Sequence, residues 1–358
     1  MKDQQLLTKL CLASGISGNE EQVREIMKKE VKNYDDVKYD KLGSVAFYLN
    51  GSSDLPKILV VAHMDEVGFV VADITNEGLI KLQPVGGWNP QTLLSSQLKI
   101  ITNEGQEYLG TLGSTPPHFK DKSQKPQVVE IGEMFLDIGS STLNEVIEYG
   151  ISLGDSVVPD VNFINFKKSN KVMCKAFDDR VGVCAVVDIL NHFSNNEHPN
   201  QLIGAGSVQE EVGARGAKTI SQLVKPDLAI ILEGAPADDI PGLRAHPQTK
   251  IGGGAHVRLW DPTMIVHNRY KKFILQVAEE SGVKYQPTVR KGGGTDAKFI
   301  HLANIGIPSI VLGVPVRYAH SHRSIISLDD YDDLQELLKV IITKLDQKKF
   351  EEIVSVYS

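Results

Sequence analysis

The spacing of apolar residues changes along this chain, and each change marks a different kind of structure. Near the start they recur at helical intervals. Residues 4–14 predict one helix, and Val23, Ile26, Met27 and Val31 form the buried stripe of a second, with Ser17-Gly-Asn-Glu20 as its capping box. Segments 37–39 and 44–49 then flank a hairpin-like turn, Asp40-Lys-Leu-Gly43. Lys57-Ile-Leu-Val-Val-Ala62 is a continuous apolar run, the kind buried on both faces of a parallel sheet.

From 68 to 163 the texture shifts to short alternating segments, at 68–74, 79–85, 97–102, 108–112 and 130–134, broken by Gly, Pro, Asn and Asp. One short helical stretch, 141–149, interrupts them. This predicts an all-β module, a small barrel or sandwich. After Ala176, helices at 180–192, 215–223, 265–281 and 295–302 alternate with strands at 202–209, 227–232 and 309–312. A last helix begins after Ser327, whose side chain can cap it, and runs to 348. The predicted fold is α/β: a mixed, largely parallel sheet with flanking helices, formed by 1–67 and 164–358. A small β-barrel domain, 68–163, is inserted into it.

A chain of 358 residues, 41% hydrophobic and 23% charged, can bury a sizeable core. Its net charge of −7 and the lack of a Lys/Arg-rich block argue against a nucleic-acid partner. Cys11, Cys174 and Cys184 have no C-x-x-C spacing, which predicts reduced, buried thiols in an intracellular protein. The N-terminus lacks the apolar core of a signal peptide, and no run approaches membrane-spanning length. The expectation is a soluble cytoplasmic protein with no membrane partner.

Polar residues gain meaning from where they stand. His63 follows five apolar residues, so it sits at a strand's carboxyl end, where open α/β sheets bind ligands. Asp65 can accept from the imidazole's other nitrogen and fix its tautomer, though a turn residue would look the same. Asp178-Asp179 precedes a helix; one can be its N-cap, and the other then needs a further role such as bridging metals. Glu210-Glu211 places two carboxylates after an apolar approach, where they repel each other unless cations are present. Glu233 closes another apolar run, where an unpaired charge is costly. His320 lies in Arg317-Tyr-Ala-His-Ser-His322 just past a further strand. By contrast His118, His192, His198 and His301 read as ordinary surface or core histidines. With Asp178, Glu211 and Glu233 as ligands, three negative charges would face the four positive charges of two divalent ions. Imidazole and carboxylate donors suit Zn²⁺, Co²⁺ or Mn²⁺.

The strings Val61-Ala-His-Met-Asp-Glu-Val-Gly-Phe69, Lys175-Ala-Phe-Asp-Asp-Arg180, Val208-Gln-Glu-Glu-Val-Gly213, Gly293-Gly-Thr-Asp-Ala297 and Arg317-Tyr-Ala-His-Ser321 resemble the tetrahedral aminopeptidase family. Glutamyl aminopeptidase and the deblocking aminopeptidases belong to it, and the match runs in order over nearly the whole chain. The resemblance implies that Asp178 bridges two metal ions. His63 and Glu233 would complete one site, Glu211 and His320 the other, with Glu210 as general base. It further implies a non-proline cis peptide at Asp178-Asp179, and a barrel that pairs chains into dimers and dimers into a hollow dodecamer. One position departs from the pattern: Glu233 stands where most relatives carry Asp, which bears on metal preference and substrate class.

The function expected is a dinuclear metallo-aminopeptidase acting on short peptides, with Glu210 taking a proton from water and returning it to the leaving amine. The alternatives are a carboxypeptidase or N-acyl amino acid deacylase on related architecture, a non-catalytic metal-binding scaffold, and a glycoside hydrolase. The last leaves His63 and His320 unexplained. Arg258 and Lys298 are candidates for gripping an acidic first side chain, although solvated or ion-paired cations would look alike. Gly292-Gly-Gly-Thr-Asp-Ala297 lacks a Walker ending and reads as a tight turn beside the site. Trp88 is a candidate interface anchor, or a lid on its own module's core.

Overall fold

The computed structural model describes residues 4–119 and 127–355. Four parallel strands form the middle of the main sheet, in the order Gln201–Ser207, Lys57–His63, Leu228–Pro236 and Ser309–Val316. Their side chains are almost all buried, as continuous apolar runs on a doubly covered sheet must be. Val45–Asn50 and Asp36–Tyr39 extend one edge antiparallel. Ala255–Asp261 pairs antiparallel with Ser309–Val316 on the other side and carries Met264–Ile265 and the parallel strand Tyr285–Val289. The helix Phe177–Phe193 lies against the sheet, with Val181, Val183, Val187 and Leu190 fully buried. A mixed, largely parallel sheet with flanking helices is therefore the fold, as the sequence predicts.

All four central strands deliver their carboxyl ends to one edge. Ser207 lies opposite His63, and Ile231 opposite Val61, which brings Glu233 level with His63. Gly234 makes room beside them: a Cβ there would meet the Cα of Asp178 and the carbonyl of Phe177, both at 2.7 Å. Only a glycine lets the Phe177-Asp178 backbone lie this close to the strand.

Between the strand ending at His63 and the helix at 177, the chain closes a six-stranded barrel. Its order is Gly68–Ile74, Ile80–Val85, Phe135–Asp137, Glu107–Gly113, Gln97–Ile101 and Ser156–Pro159. Its core, including Phe69, Ile80, Leu98, Ile100 and Val157, is separate from the sheet's core. Closure leaves no open strand edge. Trp88 covers this core. Its ring stacks on Phe69 at 5.0 Å, and its N–H donates to the Gly68 carbonyl at 3.0 Å.

Several local expectations change. Ser17 does not cap the second helix, Glu21–Glu30, because its hydroxyl donates to Asp65 at 2.6 Å instead. Ser327 makes no side-chain cap to Leu328–Lys344. That helix stops at 344, since Asp346 accepts from Lys349 N and starts a separate helix, Gln347–Val354. Segment 130–134 is mostly one 3₁₀ turn, Ile131–Glu133, and the strand comes after it. The apolar pattern does not predict the strands Ala255–Asp261 and Tyr285–Val289. In the first, His256 and Arg258 alternate with Val257 and Leu259, so polar groups occupy an inward face where apolar ones are expected.

Candidate active site

The predicted site residues gather at the shared edge; His63 ends its strand, whereas Glu233 lies within Leu228–Pro236, which continues past it. The ring of His63 places Nδ1 3.0 Å from the backbone carbonyl of Asp65 and Nε2 3.2 Å from Asp178 Oδ1. A carbonyl can only accept, so Nδ1 donates and Nε2 is left to face the carboxylates. The sequence assigned that tautomer-fixing contact to the Asp65 carboxylate, which lies farther off at 3.5 Å. That carboxylate instead accepts from the backbone N–H groups of Glu210 and Glu211, at 2.9 and 3.1 Å, as well as from Ser17.

Asp178 sits between two imidazoles, with Oδ1 toward His63 and Oδ2 3.4 Å from His320 Nε2. The Asp178-Asp179 peptide is cis. Asp179 caps the following turn through Oδ1, which accepts from Gly182 N at 3.0 Å. His320 Nε2 also lies 3.3 Å from Glu211 Oε1, while its Nδ1 lies 3.0 Å from the carbonyl of Gly87 in the barrel. Glu233 is buried, and its Oε2 has no hydrogen-bond partner among the described residues.

These positions form two groups of potential ligands, His63 with Asp178 and Glu233, and Asp178 with Glu211 and His320. Within each, the donor atoms lie within 4.8 Å of one another. Asp178 belongs to both. An orphaned, buried carboxylate oxygen on Glu233 and an all-nitrogen-and-oxygen donor set fit divalent ions of the zinc, cobalt or manganese type. Glu210 lies in neither group but lines the same cavity, of about 530 Å³.

The electrostatics follow from crowding. Burial, with the charge of Asp178, pushes Glu233 well above the usual carboxylate range. Burial also raises Glu210, and the charges of Asp296, Glu211 and Asp65 add to it against His63. Burial would neutralise the imidazoles, yet the contact with Asp178 and the nearby charge of Asp65 hold His63 well up, and hydrogen bonds to Asp178 and Glu211 push His320 up to about 11. Asp178 is held below the carboxylate range because both imidazoles outweigh its burial.

The cavity's other end is basic. Arg258 is buried and donates to Asp261 at 3.4 Å, and its Nε lacks a partner among the described residues. Arg290 donates to the Pro236 carbonyl and, at 3.0 Å, to Thr249, with its Nε likewise unpartnered. Burial, then the charge of Arg258, lowers Arg290 to about 10. Lys298 stands exposed at the rim. Arg317 is absorbed by a two-pronged pairing with Asp239. The sequence marks Arg258 and Lys298 but not Arg290, whose only signal is its place just before Lys291-Gly-Gly-Gly294. Nor does it mark Asp296, whose buried carboxylate takes the Ser207 hydroxyl beside the site.

Comparison with known proteins gives the chain a family. Residues 43–337 match the family model described as M42 glutamyl aminopeptidase. The chain is 35% identical to the glutamyl aminopeptidase of Lactococcus lactis, covering 97% of each, and 29% identical to the lysyl aminopeptidase of Pyrococcus furiosus, covering 98% of this chain and 99% of the relative. A crystal structure of a TET aminopeptidase from a marine sediment Thaumarchaeota archaeon superposes with a TM-score of 0.95 at 37% identity, covering 99% of both chains. The TET1 peptidase of Pyrococcus horikoshii, described as assembling into a tetrahedron or a large octahedral shell, superposes at 0.84 with 29% identity, over 95% of this chain and 99% of that one.

Proposed function

The chain belongs to the M42 glutamyl aminopeptidase family, and from that premise we propose that it is a two-metal aminopeptidase that trims short peptides, with Glu210 as its general base. One observation carries this function: two ligand groups meet at Asp178, and a spare carboxylate faces the same cavity. His63, Asp178 and Glu233 would hold one ion, and Asp178, Glu211 and His320 the other. Such ions supply Lewis acidity, polarising the scissile carbonyl and acidifying water. The protein's own residues do the rest. The Asp65 carboxylate fixes the backbone of Glu210 and Glu211, its carbonyl orients His63, and Glu210 takes a proton from water and passes it to the departing amine.

The basic wall favours an acidic first residue. Relatives are named for both glutamyl and lysyl substrates, so their names leave the choice open. Arg258 and Arg290, each with a buried Nε that has no partner among the described residues, offer charge-assisted hydrogen bonds to a carboxylate and repel a lysyl side chain. We expect the barrel to serve assembly into dimers and then a dodecamer, as shells built by TET1 suggest.

A panel of peptides with free, acetylated and C-terminally amidated ends tests the function. Cleavage of free and amidated peptides, with acetylated ones spared, is expected. Hydrolysis that needs a free carboxyl end would make the enzyme a carboxypeptidase, and release of the acetyl group a deacylase. Light scattering of the metal-loaded protein should give a mass far above one chain, and a stable monomer would end the assembly proposal.

A further inference from the structure

Three consecutive backbone N–H groups in the loop that carries Glu210 end on carboxylates. Asp65 takes those of Glu210 and Glu211. The third, Gln209 N, donates to Glu20 Oε1 at 3.0 Å, and the same oxygen accepts from Gly18 N at 2.7 Å. Glu20 is only 3% exposed, stands 189 positions earlier in the chain, and precedes the stretch 43–337 that defines the family match.

Helix capping does not account for it. Glu20 is the N-cap residue of Glu21–Glu30, yet its side chain makes no capping bond to that helix. Burying a carboxylate costs free energy unless hydrogen bonds offset it, so the two N–H groups matter to its placement. Gln209 has φ of +57°, in the left-handed region a non-glycine residue occupies only when its surroundings hold it there. It does so just after the strand Gln201–Ser207 ends and just before Glu210.

We propose that Glu20 is a positioning residue for the general base: through the Gln209 N–H it fixes the backbone from which Glu210 enters the cavity. The inference rests on Glu210 being the base. Glu20 itself does not touch substrate. Because one oxygen accepts both bonds, a neutral amide carbonyl can replace it, whereas a shorter side chain withdraws the acceptor.

The test compares Glu20→Ala, Glu20→Asp and Glu20→Gln with wild type and Glu210→Gln, all as metal-loaded assemblies. Glu20→Ala and Glu20→Asp should lower kcat about 10- to 100-fold, with KM changed less than about twofold, since small displacements of a reacting group cost rate rather than binding. Bound metal per chain should not change, and Glu20→Gln should recover most of the lost kcat. Wild-type kcat in both Glu20→Ala and Glu20→Asp overturns the proposal. So does a Glu20→Gln enzyme as slow as Glu20→Ala, which would mean that charge matters and not the acceptor. Loss of bound metal along with a raised KM also overturns it, because that marks a scaffold role. If Glu210→Gln turns over normally, the base assignment fails first. If Glu210→Gln is inactive while Glu20→Ala and Glu20→Asp are normal, only the positioning role fails.

Discussion

The two ends of the cavity treat histidine in opposite ways. At the acidic end, His63 and His320 are partly or wholly buried, yet carboxylates hold both imidazoles well above the ordinary range. Behind the basic end, in the protein interior, burial and the charges of Arg258 and Arg290 hold His256 well below it. Burial acts in the same direction on all three, so the sign of the neighbouring charge decides the outcome. The acidic end favours whatever positive species reaches it, proton or metal, and the two compete. The basic end favours an anion. One cavity thus carries a carboxylate-rich wall beside an arginine-rich one.

Removing the cations should break this contrast most completely. Dialysis against a chelator is expected to abolish peptide cleavage, and Zn²⁺, Co²⁺ or Mn²⁺ should restore it; an enzyme indifferent to chelation would have no metal role at the acidic end. Next in size, Glu210→Gln should lower kcat by about 10²–10⁴-fold while bound metal per chain stays the same. Metal analysis beside steady-state kinetics checks both halves of that statement.

At the basic end, Arg258→Met should lower kcat/KM for a glutamyl substrate about 10- to 100-fold, the worth of a hydrogen bond to a charged group, and leave a leucyl substrate nearly untouched. An equal loss on both substrates would make Arg258 a structural cation. The smallest effect is one of stability. His256 has a folded-state pKa below its unfolded value, so below pH 6.5 the unfolded chain binds a proton that the native protein refuses. The stability this neutral ring contributes is fully present above that pH and is lost as pH falls, by about 1.4 kcal/mol per unit. Urea denaturation of metal-free protein between pH 7.5 and 5 should show a shallower acid loss in His256→Gln than in wild type. Parallel curves would mean that the basic end exerts no such field.

Much of this was legible in the sequence because strand ends are legible. His63 and Glu233 stand out after apolar runs, and the Glu210-Glu211 pair follows one too. The alternating texture of 68–163 likewise announces an all-β module, and the barrel strands Gly68–Ile74 to Ser156–Pro159 fall inside it. What stayed hidden depends on distant partners. Ser17 and Glu20 look like a capping box, and only the approach of Asp65 and the Gln209 N–H gives them other work. Arg290 is one cation among many until the sheet places it beside Arg258. Spacing alone could not say which aspartate of Asp178-Asp179 faces the imidazoles, because either can cap a helix.

Gly87 belongs to the barrel, yet its carbonyl is the partner of His320 Nδ1, and a Cβ on neighbouring Gly86 would meet Glu211 Cβ at 3.3 Å and Val67 Cγ1 at 2.6 Å. This has a consequence for how such proteins can be recombined. A barrel swapped between relatives at its apparent borders would replace the turn that places the carbonyl facing His320 Nδ1. The exchangeable cassette is therefore larger than the barrel: it must travel with the His320 loop, or leave the Gly86-Gly87 turn behind in the host. Chimeras joined at the borders alone should fold as two sound halves around a misaligned imidazole.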